Sequence, residues 1–364
     1  MDMENVKLYH FLHHTVGITN NRHPNLVLNN PDSLIATVET LVGVELAFYP
    51  GQRYEYGTQN YNVLGMVIES ASGQSYETFM QEYLFKPLGL TQTFSNKDYA
   101  EQSGLLAQGY AINFIFTTAR HDSPEIGGMV PTGGIISSAR DMMRWMQIQL
   151  GLADDIPTIF KEIIPRSHIG DQSVTAESYR GIYSYYAAGW SVSVDGRRVE
   201  HKGNNPSFAT YVLLIPEEQI GITVLSNINS LNPFSVADNI ADILSGRLAQ
   251  GYSMDYEQIV DIAFTLVTLL GSVATALFIL LGIRRRKQNM KRPITRKRLA
   301  LMICWSAITL CMGVLCCFFP WLIVRGNWQY AITFLSYSLL TGLITLVLLS
   351  ASITWLVGFP RRTE

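Results

Sequence analysis

Three long stretches of this chain carry no Asp, Glu, Lys or Arg: Ile262–Ile283, Leu299–Val324 and Tyr330–Gly358. Each exceeds the roughly 20 residues that a helix needs to cross about 30 Å of hydrocarbon, so three membrane spans are expected. The preceding 250 residues show shorter periods. Pro31–Leu46 places Leu34, Val38, Leu41 and Val42 at helical spacing, with the helix expected to start after Asn29 or Asn30. Val63–Ser72 and Ser75–Leu84 also read as helices, and the Pro and Gly of Phe85–Leu90 (FKPLGL) end them. Gln92–Val130 is polar and expected to be loop-rich. Gly127–Gly134 (GGMVPTGG) reads as a turn that brings backbone close to a neighbour. Ser137 or Ser138 is placed to cap an amphipathic helix, Ala139–Gly151, with Met142, Met143, Trp145, Met146 and Leu150 mostly inward. From Ala187 the period changes to two. AGWSVSV, RRVEHKG, FATYVLLIP and IGITVLSNI predict short strands of an antiparallel sheet, with turns at Asp195–Gly196 and Pro216–Gln219. Phe234–Leu248 closes this part as an amphipathic helix. The expected organisation is a folded domain over 1–250, a linker over 251–261, spans over 262–283, 299–324 and 330–358, and a tail over 359–364.

Charge divides the chain at the same place. Up to Glu257 there are 15 Lys and Arg against 27 Asp and Glu; from Gln258 onward there are 12 basic residues against 2 acidic. An acidic first part argues against nucleic acid as its partner. The link between the first two spans, 284–298, carries nine basic residues and no acid, and Arg361 and Arg362 follow the third span. The positive-inside rule then puts that link and the C-terminus in the cytoplasm and residues 1–258 outside, with the lipid bilayer as a partner. All four cysteines lie between Cys304 and Cys317, which excludes a disulfide framework or a Cys-ligated zinc site from the first 300 residues. MDMENVKLYHFLHHT contains no apolar core of signal-peptide length. A domain expected outside, with nothing ahead of it to direct export, suggests an N-terminally shortened form of a larger exported protein.

The candidate chemistry centres on Pro50–Gly65, PGQRYEYGTQNYNVLG. Gly57 allows a sharp turn, so Tyr56 can be held against a cleft, where a phenol near several cations can lose its proton below its free pKa. A buried tyrosine with a hydrogen-bonded hydroxyl is the plainer reading of that loop alone. His10, His13 and His14 have metal-like spacing, but no carboxylate sits at a matching helical position, which favours packing and hydrogen bonding. His201-Lys202-Gly203 begins a strand, where a cation and a backbone N–H at an edge can hold a carboxylate or an oxyanion.

Together these pieces resemble the serine β-lactamase-like hydrolases: penicillin-binding proteins, D-alanyl-D-alanine carboxypeptidases, class C β-lactamases and related esterases. FLHHTVG is similar to that family's LLxHTSG, and PGQRYEYGTQNYNVLG to its PGxxxxYSNxxYxxLG. FKPLGLTQT, GGIISSARDMMRW and HKGNNPSF followed by YVLLIPEEQIGITVLSN match three further segments in the same order, so the resemblance covers about 220 residues. It implies an α+β fold, an antiparallel sheet flanked by helices, lacking its N-terminal strands and nucleophile helix and followed by three transmembrane helices. It also implies roles: Tyr56 the proton-shuttle tyrosine, His201 the strand cation, Asn204 N–H an oxyanion donor beside Gly203, and Thr58 the position of the family's asparagine. Thr58 is shorter than asparagine and cannot offer both an amide donor and an acceptor. More seriously, no serine in this chain precedes a lysine by three residues, so the family's Ser-x-x-Lys nucleophile pair is absent. The resemblance calls for no cofactor and no metal. The expected function is a membrane-anchored serine hydrolase acting on a D-alanyl peptide of peptidoglycan, a β-lactam or an ester, with little turnover by this chain. The alternative is a non-catalytic binding or sensor module at the cell envelope.

Overall fold

A computed structural model describes residues 5–23, 33–115, 117–122, 127–179, 181–230, 232–251, 254, 256–289, 295–324, 328 and 336–358. The chain divides into two compact units. The first is Met1–Gly109 with His121–Tyr252; the second is Tyr110–Arg120 with Ser253–Glu364.

The first unit is built around a six-stranded antiparallel meander, β3 (Glu177–Tyr179), β4 (Ile182–Tyr186), β5 (Ser191–Ser193), β6 (Val199–Asn205), β7 (Phe208–Ile215) and β8 (Ile220–Ser226), each strand beside the next. Its helices are α1 (Leu8–Leu12), α2 (Leu34–Glu39), α3 (Gln59–Ser72), α4 (Ala139–Gln149), α5 (Thr158–Ser167) and α6 (Asn232–Leu244), with shorter turns between them. β7 explains the two-sided core, because side chains alternate along a strand. Tyr211, Leu213 and Ile215 pack with Ile222, Phe234, Ala237 and Ala241 of β8 and α6. Val212 and Leu214 face the other way, onto Met146 of α4, Ala187, Trp190 and Val199. A third cluster, Phe85, Leu88, Leu90, Ile148, Ala153 and Ile164, joins α4 to α5 and the FKPLGL turn.

The expected strands from Ala187 onward and both turns between them are present, and Gly196 sits at φ 71° in the first turn. Ser138 is the cap of α4 and accepts the Asp141 N–H; Met143 is the exposed methionine among the inward set. Four details differ from expectation. The helix expected over Pro31–Leu46 is the six-residue α2, capped by Ser33, with Val42 exposed on the turn that follows; its expected start lies outside the described residues. The Ser75–Leu84 helix breaks into a regular turn, a wider π turn over Gln81–Phe85 and a last turn, Lys86–Leu88, that ends at left-handed Gly89. Two strands, β3 and β4, precede Ala187. The stretch expected to be loop holds a hairpin, β1 (Tyr110–Asn113) and β2 (Thr117–Arg120), which belongs to the second unit.

The rest of the second unit is three helices, α7 (Tyr256–Asn289), α8 (Arg296–Val324) and α9 (Tyr337–Gly358), each long and apolar enough to cross a membrane. Part of the basic link, the short second link except Trp328, the first residues of the expected third span and the tail lie outside the described residues. α7 and α9 run parallel: Thr268 Oγ1 is 3.2 Å from Thr341 Oγ1, and Gly271 faces Thr345. Further along, Gly282 faces Trp355, whereas a side chain at Gly342 would meet Phe264. α8 runs antiparallel to α9, with Thr309 Oγ1 2.8 Å from Ser350 Oγ. Small residues at such contacts let helix backbones approach where no hydrophobic force separates helix from lipid.

Candidate functional site

α3 begins where the Tyr56 loop ends, and the loop is fixed on all sides. Gly57 lies against the Ile18 carbonyl so closely that no Cβ fits there. Space, rather than a left-handed turn, therefore explains this glycine. Thr58 is gripped by the Asn20 carboxamide: Nδ2 donates to Thr58 Oγ1 at 2.8 Å, and Oδ1 accepts the Thr58 N–H at 2.8 Å. Thr132 Oγ1 stands 2.8 Å from both the Thr58 carbonyl and Asn62 Oδ1. The Asn20 N–H donates to the Tyr56 carbonyl and the Glu55 N–H to the His14 carbonyl, so segment 14–20 lines the loop like a short strand. Asn20 was not singled out by the sequence, and it brings an amide to the position where Thr58 lacks one.

Beneath the loop His14 is wholly buried, at φ 53°. Its Nδ1 faces two donors, the Gly57 N–H at 3.3 Å and Asn60 Nδ2 at 2.9 Å. A backbone N–H cannot be flipped as an amide can, so Nδ1 accepts and Nε2 carries the proton. Burial, reinforced by His201 and His13, holds this imidazole down to about 3, so it is neutral at physiological pH. The other histidines pack and hydrogen-bond as expected: His13 Nδ1 lies 2.8 Å from the Tyr186 carbonyl, and the Lys7 N–H donates to His10 Nδ1.

Rings complete the floor and wall. Tyr56 is partly open to solvent (37%), with its ring 4.2 Å from that of His14 and 6.3 Å from that of Tyr186. Tyr54 stacks on Tyr186 at 5.6 Å, and Tyr61 donates its hydroxyl to the Leu12 carbonyl at 3.0 Å. Tyr186 is the hub: its hydroxyl is 3.0 Å from His201 Nε2. Tyr56, on the α3 loop, and His201, on β6, are thus brought to one cluster through a residue the sequence reading did not single out. Its signal was the alternation Ile182, Ser184, Tyr186 on one face of IYSYY. The Tyr56 phenol, expected to fall below its free pKa, is instead pushed up by burial, because its ring neighbours are a neutral imidazole and a phenol. Burial also raises Tyr54, Tyr61 and Tyr186, and it lowers His201 despite the opposing backbone hydrogen bond at Lys202. The cluster favours neutral donors and acceptors.

β6 supplies the other wall. It pairs with β7 along its whole length but with β5 only at Val199 and Glu200. The Ser193 N–H donates to the Arg198 carbonyl, so Arg198 faces β5. By the two-residue alternation of a strand, Glu200, Lys202 and Asn204 direct their N–H and C=O groups to that same side. Among the described residues the β5 ladder stops at Glu200, and the Asn204 N–H points to that side. Gly203 sits opposite Thr210 on β7, whose hydroxyl occupies the space a Cβ at 203 would need. Asn204 itself is exposed, and Asn205 Nδ2 donates to the Gly133 carbonyl at 3.2 Å.

An antiparallel meander covered by helices, with a tyrosine loop across from a half-open strand, is the architecture of the β-lactamase and transpeptidase class. The family model described as Beta-lactamase matches residues 2–247, and the chain belongs to that family. It is 28% identical over 364 residues to Protein flp of Staphylococcus aureus, covering 97% of this chain and 71% of that relative. A putative penicillin-binding protein, PbpX of Bacillus subtilis, is 32% identical over 144 residues, which is 40% of this chain and 35% of that protein. Among solved structures, the octameric penicillin-binding protein homologue from Pyrococcus abyssi superposes with a TM-score of 0.57 at 23% identity, over 71% of this chain and 62% of that one. A class C β-lactamase gives 0.52 at 20%, over 69% and 71%. At these identities the structural likeness speaks for the fold alone.

Proposed function

We propose that this chain is a membrane-anchored protein of the serine-hydrolase, penicillin-binding class, whose chemistry is acyl transfer on a D-alanyl peptide, a β-lactam or an ester. On this reading α7, α8 and α9 span the bilayer, the basic link 284–298 and the tail are cytoplasmic, and residues 1–250 face outward. Tyr56 and His201 flank the bound carbonyl, Gly203 and Asn204 line the open strand edge, and Thr58 with Asn20 forms the far rim. The observation that carries the reading is the end of β6 beyond Glu200, which keeps its ladder to β7 but, among the described residues, has none to β5, so that the Asn204 N–H is directed to the side a ligand carbonyl would fill. An extended peptide or a β-lactam amide can pair there as an added strand.

These 364 residues contain no Ser-x-x-Lys pair, so we expect binding without an acyl-enzyme. The same absence of a Ser-x-x-Lys pair supports the second reading, a binding or sensor module. The test is to incubate the full chain in lipid nanodiscs with a fluorescent penicillin. Reversible binding that competes with a D-alanyl-D-alanine peptide and leaves no covalent band on a denaturing gel is the expected result. Stoichiometric covalent labelling would overturn the assignment of inactivity, and absence of any binding would overturn the assignment of the cleft.

A further inference from the structure

The β1–β2 hairpin is an unusual component of the second unit: eleven residues from the middle of the first unit's sequence that group with the apolar helices. Its register is regular, Tyr110 opposite Arg120 through Asn113 opposite Thr117, and Thr117 Oγ1 closes the tip onto the Asn113 carbonyl. At the tip Phe114 and Ile115 both adopt left-handed φ, 49° and 51°, a conformation that non-glycine residues rarely take in succession. What sustains it is a carboxylate. Asp261 Oδ1 accepts the Phe114 N–H at 3.0 Å and Oδ2 accepts the Ile115 N–H at 2.9 Å, and Asp261 is almost wholly buried. A second clasp comes from α9, where the Tyr337 N–H donates to Asn113 Oδ1 at 2.7 Å.

The depth of these clasps is readable. Asp261 is the last charged residue before the charge-free run Ile262–Ile283, and Tyr337 is the first residue of α9. Asp261 lies in the second turn of α7 and Tyr337 at the start of α9, so both are near the N-terminal ends of the two parallel helices, the ends that the membrane reading puts towards the boundary of hydrocarbon and water. The tip carries apolar side chains, with Phe114 exposed at 39%. Two bare amide N–H groups at that depth would lack water on one side and protein on the other, and the Asp261 carboxylate satisfies both. An apolar aromatic tip beside two helix ends at the boundary, with its backbone already paired, matches an interfacial lipid contact.

We propose that the tip of this hairpin, around Phe114 and Ile115, inserts into the headgroup–acyl boundary and is locked there to α7 by Asp261. The inference rests on the membrane reading above, and the experiment separates the two. In full chain with its four cysteines replaced by serine, single cysteines at Phe114, Thr118 and Leu270 carry a spin label in phosphatidylglycerol–phosphatidylcholine nanodiscs. Collision with oxygen, which partitions into lipid, is compared with collision with a water-soluble nickel chelate. We expect Leu270, exposed in the middle of α7, to favour oxygen strongly, Thr118 on β2 to favour nickel, and Phe114 to show a several-fold higher oxygen-to-nickel ratio than Thr118. A Phe114 label as nickel-accessible as Thr118, with Leu270 in lipid, overturns the insertion alone; a nickel-accessible Leu270 overturns the membrane reading. Asp261→Ala should narrow the Phe114 spectrum by freeing the tip, and an unchanged spectrum would refute the locking role.

Discussion

His14 and Asn60 meet at 2.9 Å between Nδ1 and Nδ2, and with the Gly57 N–H on the same nitrogen this fixes both the tautomer and the charge of the cleft floor. His14 is therefore a group that folding forces to stay neutral. Its folded pKa lies below the unfolded value, about 3 against 6.5, so the unfolded chain binds the extra proton first. Stability contributed by the neutral ring is fully present above pH 6.5 and is lost as pH falls towards 3, on the order of 3 kcal/mol between pH 7 and pH 4. His168 and His201, also lowered by burial, act in the same direction, whereas Glu177, raised by burial, acts against it. The informative readout is a comparison: the melting midpoint of His14→Asn, a residue that tolerates left-handed φ, should fall less between pH 7 and pH 4 than that of the unmodified chain. Parallel pH profiles would contradict the buried, neutral assignment.

Asn20 binds Thr58 with both ends of its amide. Asn20→Ala leaves the Thr58 N–H and hydroxyl without these partners and should cost about 1–3 kcal/mol in urea unfolding. Asn20→Asp keeps the acceptor for the Thr58 N–H and should lose less. Equal losses would mean that the amide donor carries the contact.

Gly57 has no room for a methyl group beneath the Ile18 carbonyl. Gly57→Ala should destabilise the first unit by about 3 kcal/mol or more, because the obstacle is backbone that cannot rotate aside. A melting midpoint within a degree of the unmodified chain would show that the 14–20 segment does not pack on the loop.

Asp141, buried in the first turn of α4, accepts the Gln92 N–H at 2.7 Å and the Thr93 hydroxyl at 2.7 Å. Removing it strands the Gln92 N–H and leaves the Thr93 hydroxyl with Ser137 Oγ, 2.9 Å away, as its remaining partner. Asp141→Ala should cost about 2–4 kcal/mol by chemical denaturation, and Asp141→Asn, whose one carbonyl oxygen can take the place of the Oδ2 that accepts both donors, clearly less.

The legible parts of this protein were those whose information is local. β5 to β8 announce themselves by two-residue alternation, α4 by its Ser138 cap and helical spacing, and the three apolar helices by length and freedom from charge. The silent parts depend on distant partners. Nothing near Phe114 foretells a hairpin, because the carboxylate that holds its tip lies 146 residues further on in sequence. α5 went unread although Ile159, Phe160, Ile163 and Ile164 have helical spacing, since Pro165 within it argues for a break. Tyr56 and His201 were found by family likeness, but Tyr186, which joins them, and Asn20, which backs Thr58, belong to no motif. Their roles arise only when β4 and the 14–20 segment fold against the loop. The direction of the Tyr56 shift was missed for the same reason, because charge neighbours cannot be counted until the ring's surroundings are known.

The glycines of the two parallel helices carry a mechanical consequence. Gly271 and Gly282 on α7 receive Thr345 and Trp355, while Gly342 on α9 receives Phe264, so each helix is both lock and key. Sliding or swivelling one past the other would drive an aromatic ring into bare backbone. The pair is therefore keyed like a splined shaft, with sliding and swivelling opposed at Gly271, Gly282 and Gly342.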